Sequence, residues 1–487
     1  MKQDKTLDGN PGFVRSLGLI DSTAIVAGSM IGSGIFIVSA DMARNLGSPG
    51  WLMIAWLITG ILTIIAALSY GELASMMPHA GGQYVYLREA FNPLSGFLYG
   101  WTLFTVIQTG TIAAVAMAFS KFMGVLVPWF SETNMLLDLG FLKITTVHLM
   151  AIACILILTF NNIKGVRNGK VVQNFFTLIK VIMLVGFILI GLLIAHNTNA
   201  IEANRLIYWK PVSLTGESLS GWALIAAIGV SLVGSLFSAD AWNNITFAAA
   251  EVKNPKRNVP LSLALGVTIV IVMFMLANLV YLNVLPLRGI KDGATVVERG
   301  MQFATNDRLG TATISGIFGA SAAIIMAVFI VVSTFGCNNG LILSGARVYY
   351  AMAKDKLFFE GASKLNKHGV PANGLKFQAI WACLLCLSGT YSDLLDYVVF
   401  AVLIFYVLTI GGIYVLRWKK PEAERPYKAF GYPILPAVYI VTAILIMTIL
   451  LLYKPVFTTR GLMIVLLGIP VYYVWNWYTG KLKKSLK

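Results

Sequence analysis

Long apolar runs recur along this chain, and two of them are interrupted by polar and small residues at matching places. Hydrocarbon offers no hydrogen bonds, so a spanning segment must satisfy its own N–H and C=O groups. Helices do this within one segment, and each needs about 20 apolar residues. Twelve runs are long enough, near 15–43, 50–76, 91–121, 146–163, 170–195, 221–250, 260–284, 312–353, 375–390, 394–417, 432–453 and 461–480. The expected fold is an all-α integral membrane protein with twelve transmembrane helices. The connection between the ninth and tenth, Ser388-Gly389-Thr390-Tyr391-Ser392-Asp393, is very short.

Composition supports this class. The chain is 57% hydrophobic and 12% charged, with a mean hydropathy of +0.78, against a soluble average of roughly 25% charged. Its net charge of +16 would suit nucleic acid, but the distribution argues for topology. Clusters such as Lys164/Arg167/Lys170, Lys253/Lys256/Arg257 and Lys481/Lys483/Lys484/Lys487 fall on one side when the N-terminus is inside, as the positive-inside bias requires. Residues 1–12 are polar and the first run has no small-residue cleavage site, so no cleavable leader is expected. The expected location is the inner or plasma membrane, multi-pass, with both termini cytoplasmic. No nucleic-acid partner is expected.

Catalytic and metal chemistry find little support. Cys154, Cys337, Cys383 and Cys386 all lie inside apolar runs. Cys383 and Cys386 have the spacing of a redox or metal pair, yet their helix supplies no His or carboxylate. His79, His148, His196 and His368 are scattered at loops and helix ends. No catalytic residue, metal or cofactor is assigned, and the chain does not read as an enzyme.

The hydropathy hints at a duplication of five helices each, residues 15–195 and 221–417. A two-helix appendix at 432–480 follows, with short tails at 1–14 and 481–487. In each half the first helix is the broken one, the pattern of an inverted-repeat transporter. Between the second and third helices, Met77 to Tyr86 mixes turn formers with aromatics. A short interfacial helix is expected there, with Tyr84 and Tyr86 at headgroup level, serving as structure or as a hinge.

The first break reads Gly28-Ser29-Met30-Ile31-Gly32-Ser33-Gly34. Its glycines let a solute approach the main chain and let the backbone leave helical geometry. One half-helix would end near Gly28 and Ser29, leaving carbonyls for an ammonium. The next would begin near Ser33 and Gly34, presenting N–H groups to a carboxylate. Gly28-x-x-x-Gly32 is equally a helix-packing motif. The second break, Phe237-Ser238-Ala239-Asp240-Ala241-Trp242-Asn243-Asn244, sets a carboxylate inside an apolar run, where a charge costs about 2.5–3.5 kcal/mol on insertion scales. Phe237 and Trp242 supply faces that could cover a solute. Lys180 lies ten residues beyond Lys170 in the fifth helix, about 15 Å along it. It either snorkels or finds an internal partner.

Taken in order, these segments resemble the amino acid–polyamine–organocation superfamily, and more closely the L-type amino acid transporter light chains and their bacterial relatives. Gly71-Glu72-Leu73, Gly81-Gly82-Gln83-Tyr84-Val85-Tyr86, Glu251 to Pro260, and Phe335 to Gly340 leading to Arg347 carry the resemblance alongside the two breaks. The resemblance implies two inverted five-helix repeats plus two helices, with alternating access around an amino acid held by the first and sixth helices. It implies that Ser29, Met30, Ile31, Gly32, Ser33 and Gly34 bind the substrate's carboxylate and amino group, with Phe237, Ser238, Ala239, Asp240 and Asn243 opposite. Phe237 is the expected gate, with Trp242 second. Lys180 would be the coupling residue, associated in that family with sodium independence. Eukaryotic members join a glycoprotein through a cysteine after the third helix; Lys121 to Lys143 has none here, so no disulfide-linked heavy chain is expected.

The expected activity is secondary transport of amino acids, most simply sodium-independent exchange. Proton-coupled symport through Asp240 or Lys180 and a non-transporting amino acid sensor are the alternatives. For Asp240, where members of the family it resembles carry either Gly or Asp, three roles stand open: recognising a cationic side chain, passing a proton, or accepting hydrogen bonds at the break.

Overall fold

The computed structural model describes residues 13, 15–138, 143–387 and 391–485. Nineteen α-helices follow one another: α1 (Leu19–Met30), α2 (Val38–Leu46), α3 (Pro49–Met76), α4 (Gln83–Ala90), α5 (Pro93–Thr102), α6 (Gln108–Leu126), α7 (Thr146–Ile163), α8 (Val166–Leu193), α9 (Thr198–Leu206), α10 (Gly221–Ser238), α11 (Asn244–Phe247), α12 (Pro255–Val284), α13 (Val296–Arg299), α14 (Leu309–Phe318), α15 (Ala323–Lys354), α16 (Ala372–Cys386), α17 (Tyr391–Lys419), α18 (Ile434–Tyr453) and α19 (Pro455–Ser485). Two short strands, β1 (Met135–Asp138) and β2 (Lys143–Thr145), pair antiparallel after α6.

Local chemistry sets many of these ends. Pro opens α3, α5 and α12 at the first helical position, where its missing N–H costs nothing. Asn92 caps α5 by accepting from the Ser95 N–H at 2.9 Å. Gly47, at φ 56°, closes α2 in the left-handed region that a Cβ would disfavour. A π-helical turn, Leu103–Ile107, joins α5 to α6 into one long crossing.

Among the described residues, eleven helical stretches are long and apolar enough to cross a membrane. The shorter α16, 15 residues, stands at the ninth expected run and brings the count to twelve. The run at 312–353 is in fact two helices, α14 and α15, parted at Gly319 with φ 84°. Residues 388–390 of the short connection, most of the 1–14 tail and the end of the 481–487 tail lie outside the described residues.

The packing has the internal symmetry of an inverted repeat. Helix α1 packs on α8 and α12, while α10 packs on the counterparts α17 and α3. The pairs α3 with α12 and α6 with α15 are their own counterparts and hold the two halves together. The broken helices therefore sit at the centre, and α18 and α19 flank α10, α17 and α5. One expectation changes: Tyr84 and Tyr86 are buried, not at headgroup level. Helix α4 is wedged into the bundle, with the Tyr84 hydroxyl donating to Asp355 Oδ2 at 2.7 Å and Tyr86 packed edge-on to Tyr70.

Candidate functional site

Helix α1 stops at Met30, where Ile31 turns extended at ψ 91°. A 3₁₀ turn, Gly34–Phe36, resumes the path before α2. The last carbonyls of a helix have no partner in their own ladder, and neighbouring helices supply one. Fully buried Lys180 of α8 donates to Gly28 O, to Ile31 O at 2.9 Å and to Ser333 O at 3.4 Å. Ser333 Oγ of α15 donates to Ile31 O at 3.2 Å, and Cys337 Sγ to Ser29 O at 2.9 Å. A buried ammonium is costly unless its donors are met; here the negative end of the half-helix meets them. Lys180 does not snorkel. Its ammonium sits on a carbonyl of the last turn of α1, one of the unwound segment and one of α15; half-helix ends and unwound carbonyls are the type of ligand that coordinates a metal cation in other broken-helix carriers.

Two of the glycines permit close packing of the breaks. A Cβ on Gly28 would stand 2.2 Å from Gln173 Nε2 and Thr177 Oγ1, so Gly28 lets α8 close on α1. A Cβ on Gly34 would stand 2.6 Å from Ser238 Oγ and 2.9 Å from Ser238 Cα. The two breaks touch there.

Helix α10 stops at Ser238, and Ala241 takes φ 65° before α11 begins at Asn244. A non-glycine residue in that region signals constraint by its surroundings. Side chains tether this break. Asp240 Oδ1 accepts from the Tyr406 hydroxyl of α17 at 2.6 Å, and the Ala241 N–H also bonds its carboxylate. Asn243 Nδ2 donates to Gln83 Oε1 of α4 at 3.1 Å, and Gln83 Nε2 to Thr409 Oγ1 at 2.9 Å.

Between the breaks lies a cavity of about 20 Å³ lined by Ser29, Met30, Gly32, Ser33, Gly34, Phe237, Ser238 and Asp240 from the expected set. Space of that size holds about one water, so this arrangement is closed around the site. The buried hydroxyls of Ser29 and Ser238 beside it have no protein hydrogen-bond partner. Ile31, Ala239 and Asn243 do not line this cavity. Ile31 gives its carbonyl to Lys180, whereas Ala239 and Asn243 line the two neighbouring spaces that also reach Asp240. Trp242 is likewise absent from it; its ring packs at 4.8 Å from Tyr70 and 5.2 Å from Tyr406.

Sequence reasoning missed Thr111, Val115, Ala241 and Cys337 in the lining, and Ser333, Gln83 and Tyr406 as tethers. The polar run Gln108-Thr109-Gly110-Thr111 inside an apolar crossing was a usable signal for Thr111. Tyr406, in an ordinary aliphatic-aromatic run, gave none.

One end of the site is sealed by the chain entering α1. The Ser16 and Leu17 N–H groups donate to Glu251 O at 2.9 and 3.0 Å, and the Lys253 N–H to Leu17 O at 2.8 Å. Beneath them Arg347 Nε pairs with Glu251 Oε1 at 2.9 Å, both side chains buried.

A central pair of broken helices inside an inverted repeat defines a secondary carrier. The sequence profile of the amino acid permease family matches residues 17–475, and the chain belongs to that family. It is similar to b(0,+)-type amino acid transporter 1 of Mus musculus, 30% identical over 473 residues, covering 95% of this chain and 89% of that protein. The same transporter of Oryctolagus cuniculus is 31% identical over 416 residues, 85% and 78% of the two chains. Large neutral amino acids transporter small subunit 2 of Homo sapiens is 28% identical over 477 residues, 98% and 83%.

Proposed function

We propose that this protein exchanges amino acids across the cell membrane by alternating access, without sodium, as a single subunit with both termini cytoplasmic. The observation that carries the reading is the Lys180 ammonium on the carbonyls of Gly28, Ile31 and Ser333. It fills with a protein charge the kind of place where a coupling cation would bind. Ser29, Gly32, Ser33 and Gly34 would meet the substrate's ammonium and carboxylate, and Phe237 would cover it. The names of the relatives support amino acids as the substrate class. The closed 20 Å³ cavity and the sealed Leu17–Val252 contact fit a carrier that opens to each side in turn. The cysteine-free Lys121–Lys143 loop supports operation without a covalent partner.

The purified chain in liposomes, offered a labelled amino acid panel, tests this. Uptake should require internal amino acid and be indifferent to sodium. Uptake driven by sodium alone, with empty vesicles, would refute exchange. A second reading, proton symport, is favoured by the Asp240–Tyr406 contact beside the cavity; it requires uptake into empty vesicles driven by an inward proton gradient.

A further inference from the structure

A second cavity, about 600 Å³, opens on the flank of the bundle between α5, α6, α16, α17 and α19. It is far larger than the spaces around the breaks and falls within the roughly 300–1,000 Å³ of small-molecule sites. Its wall is preformed. The Trp101 indole N–H donates to Ile464 O of α19 at 3.0 Å, and the Trp381 N–H to Thr105 O at 3.0 Å. The second bond lands on the π-helical turn, a local distortion that often marks function. Both indoles have spent their only donor, so they offer the cavity their apolar faces.

The rest of the lining is apolar but for Thr105 and one charge, Arg460. That residue is exposed and stands five residues into α19, about 7.5 Å along the helix. The guanidinium therefore lies near the membrane boundary at the α18–α19 turn, with hydrocarbon-facing Met463 and Leu467 one and two turns deeper. A guanidinium has five N–H donors in a fork suited to phosphate, enough to serve a ligand and keep a protein partner. The charge sits at one end and the apolar volume extends into the bilayer, the polarity of an anionic amphiphile.

We propose that this cavity binds an anionic phospholipid of the surrounding bilayer, one acyl chain inside and the phosphate on Arg460. The site is one helix away from the amino acid site. Thr105, Val106 and Gly110 face the lipid, while Leu103, Ile107 and Thr111 of the same crossing face the space beside Asp240. Across α17, Val398 and Val402 divide the same way, with Val398 on the lipid cavity and Val402 beside Asp240.

The test uses the full chain in phosphatidylcholine vesicles doped with phosphatidylglycerol bearing a photoreactive diazirine on its acyl chain, with adducts mapped by mass spectrometry. Adducts should concentrate on Trp101, Val106, Met463 and Leu467 relative to lipid-facing Ile269 and Val441. Leu467→Trp, which fills the cavity from an exposed position, should cut them several-fold. Arg460→Gln should abolish the preference over a phosphatidylcholine probe of the same acyl chain while leaving the protein monodisperse. Adducts spread evenly over the lipid-facing helices, or equal yields from the two headgroups in the parent protein, would overturn the assignment.

Discussion

The two breaks solve one problem in different ways. At the first, main-chain carbonyls are met by side chains of α8 and α15, with Lys180 and Ser333 converging on Ile31 O. At the second, the break's own side chains reach outward, Asp240 to α17 and Asn243 to α4. The first break therefore presents backbone groups in a fixed frame. The second offers replaceable side chains on tethers. Under the proposed function, generic amino acid recognition would belong with the first, and selectivity and gating with the second.

The largest expected effect lies where the breaks touch. Gly34→Val should abolish uptake with expression retained, because even one added carbon meets Ser238 Cα at 2.9 Å. Gly34→Ala should be severely impaired, and pairing it with Ser238→Gly should restore part of the activity by removing the 2.6 Å hydroxyl contact. Parental transport in Gly34→Val would show that the breaks need not meet.

Next comes the frame itself. Lys180→Ala should lower exchange by about 10- to 100-fold, since Gly28 O loses its partner while Ile31 O keeps Ser333, and a buried carbonyl left unpaired costs roughly 1–3 kcal/mol. Uptake in liposomes reads this directly. If Lys180→Ala transports like the parent, the first break is held by Ser333 and Cys337 alone and the proposed cation mimicry fails.

Phe237→Ala should act more mildly. The ring lines the cavity from the end of α10, so its loss should raise KM and slow turnover about ten-fold, the order of 1.4 kcal/mol. Phe237→Trp should keep closure with a shifted size preference. Unchanged kinetics in Phe237→Ala would move the gate elsewhere, with Trp242 disfavoured by its place between Tyr70 and Tyr406.

These contrasts also show what a sequence can carry. Twelve crossings, two breaks and a deep lysine were legible because hydrocarbon punishes every polar interruption, and Lys180 could not be hidden. The split at Gly319 was not, since residues 312–353 stay apolar through the bend. The resemblance set Ile31, Ala239 and Asn243 beside the other residues of the two breaks, whereas the cavity between the breaks is lined without them. At an unwound segment successive residues point different ways, and only the fold decides which of them line a given space. Gln83 and Tyr406 reach the site from helices remote in sequence; Gln83 lay in a motif read as interfacial, and Tyr406 had no polar anomaly to betray it.

Asp240 gives the smallest effect and the sharpest test of the comparison. Its carboxylate lines the cavity between the breaks and both neighbouring spaces, while Tyr406 and the Ala241 N–H hold it. A hydrogen bond to a charged group contributes roughly 1.5–3 kcal/mol, part of which an amide retains. If the carboxylate serves chiefly to pin the second break, Asp240→Asn should slow all substrates by a similar, modest factor, and Tyr406→Phe should reproduce that decline. If it reads the substrate, Asp240→Asn should lose Lys and Arg uptake selectively while Tyr406→Phe spares their ranking. If it carries a proton, Asp240→Asn should flatten the pH profile. We expect the uniform decline, because the observed partners are those of a tether. Parental rates for every substrate at every pH in Asp240→Asn would leave Asn243 and Gln83 as the anchors of the second break, and the division between a fixed and a tethered break would then rest on α4 alone.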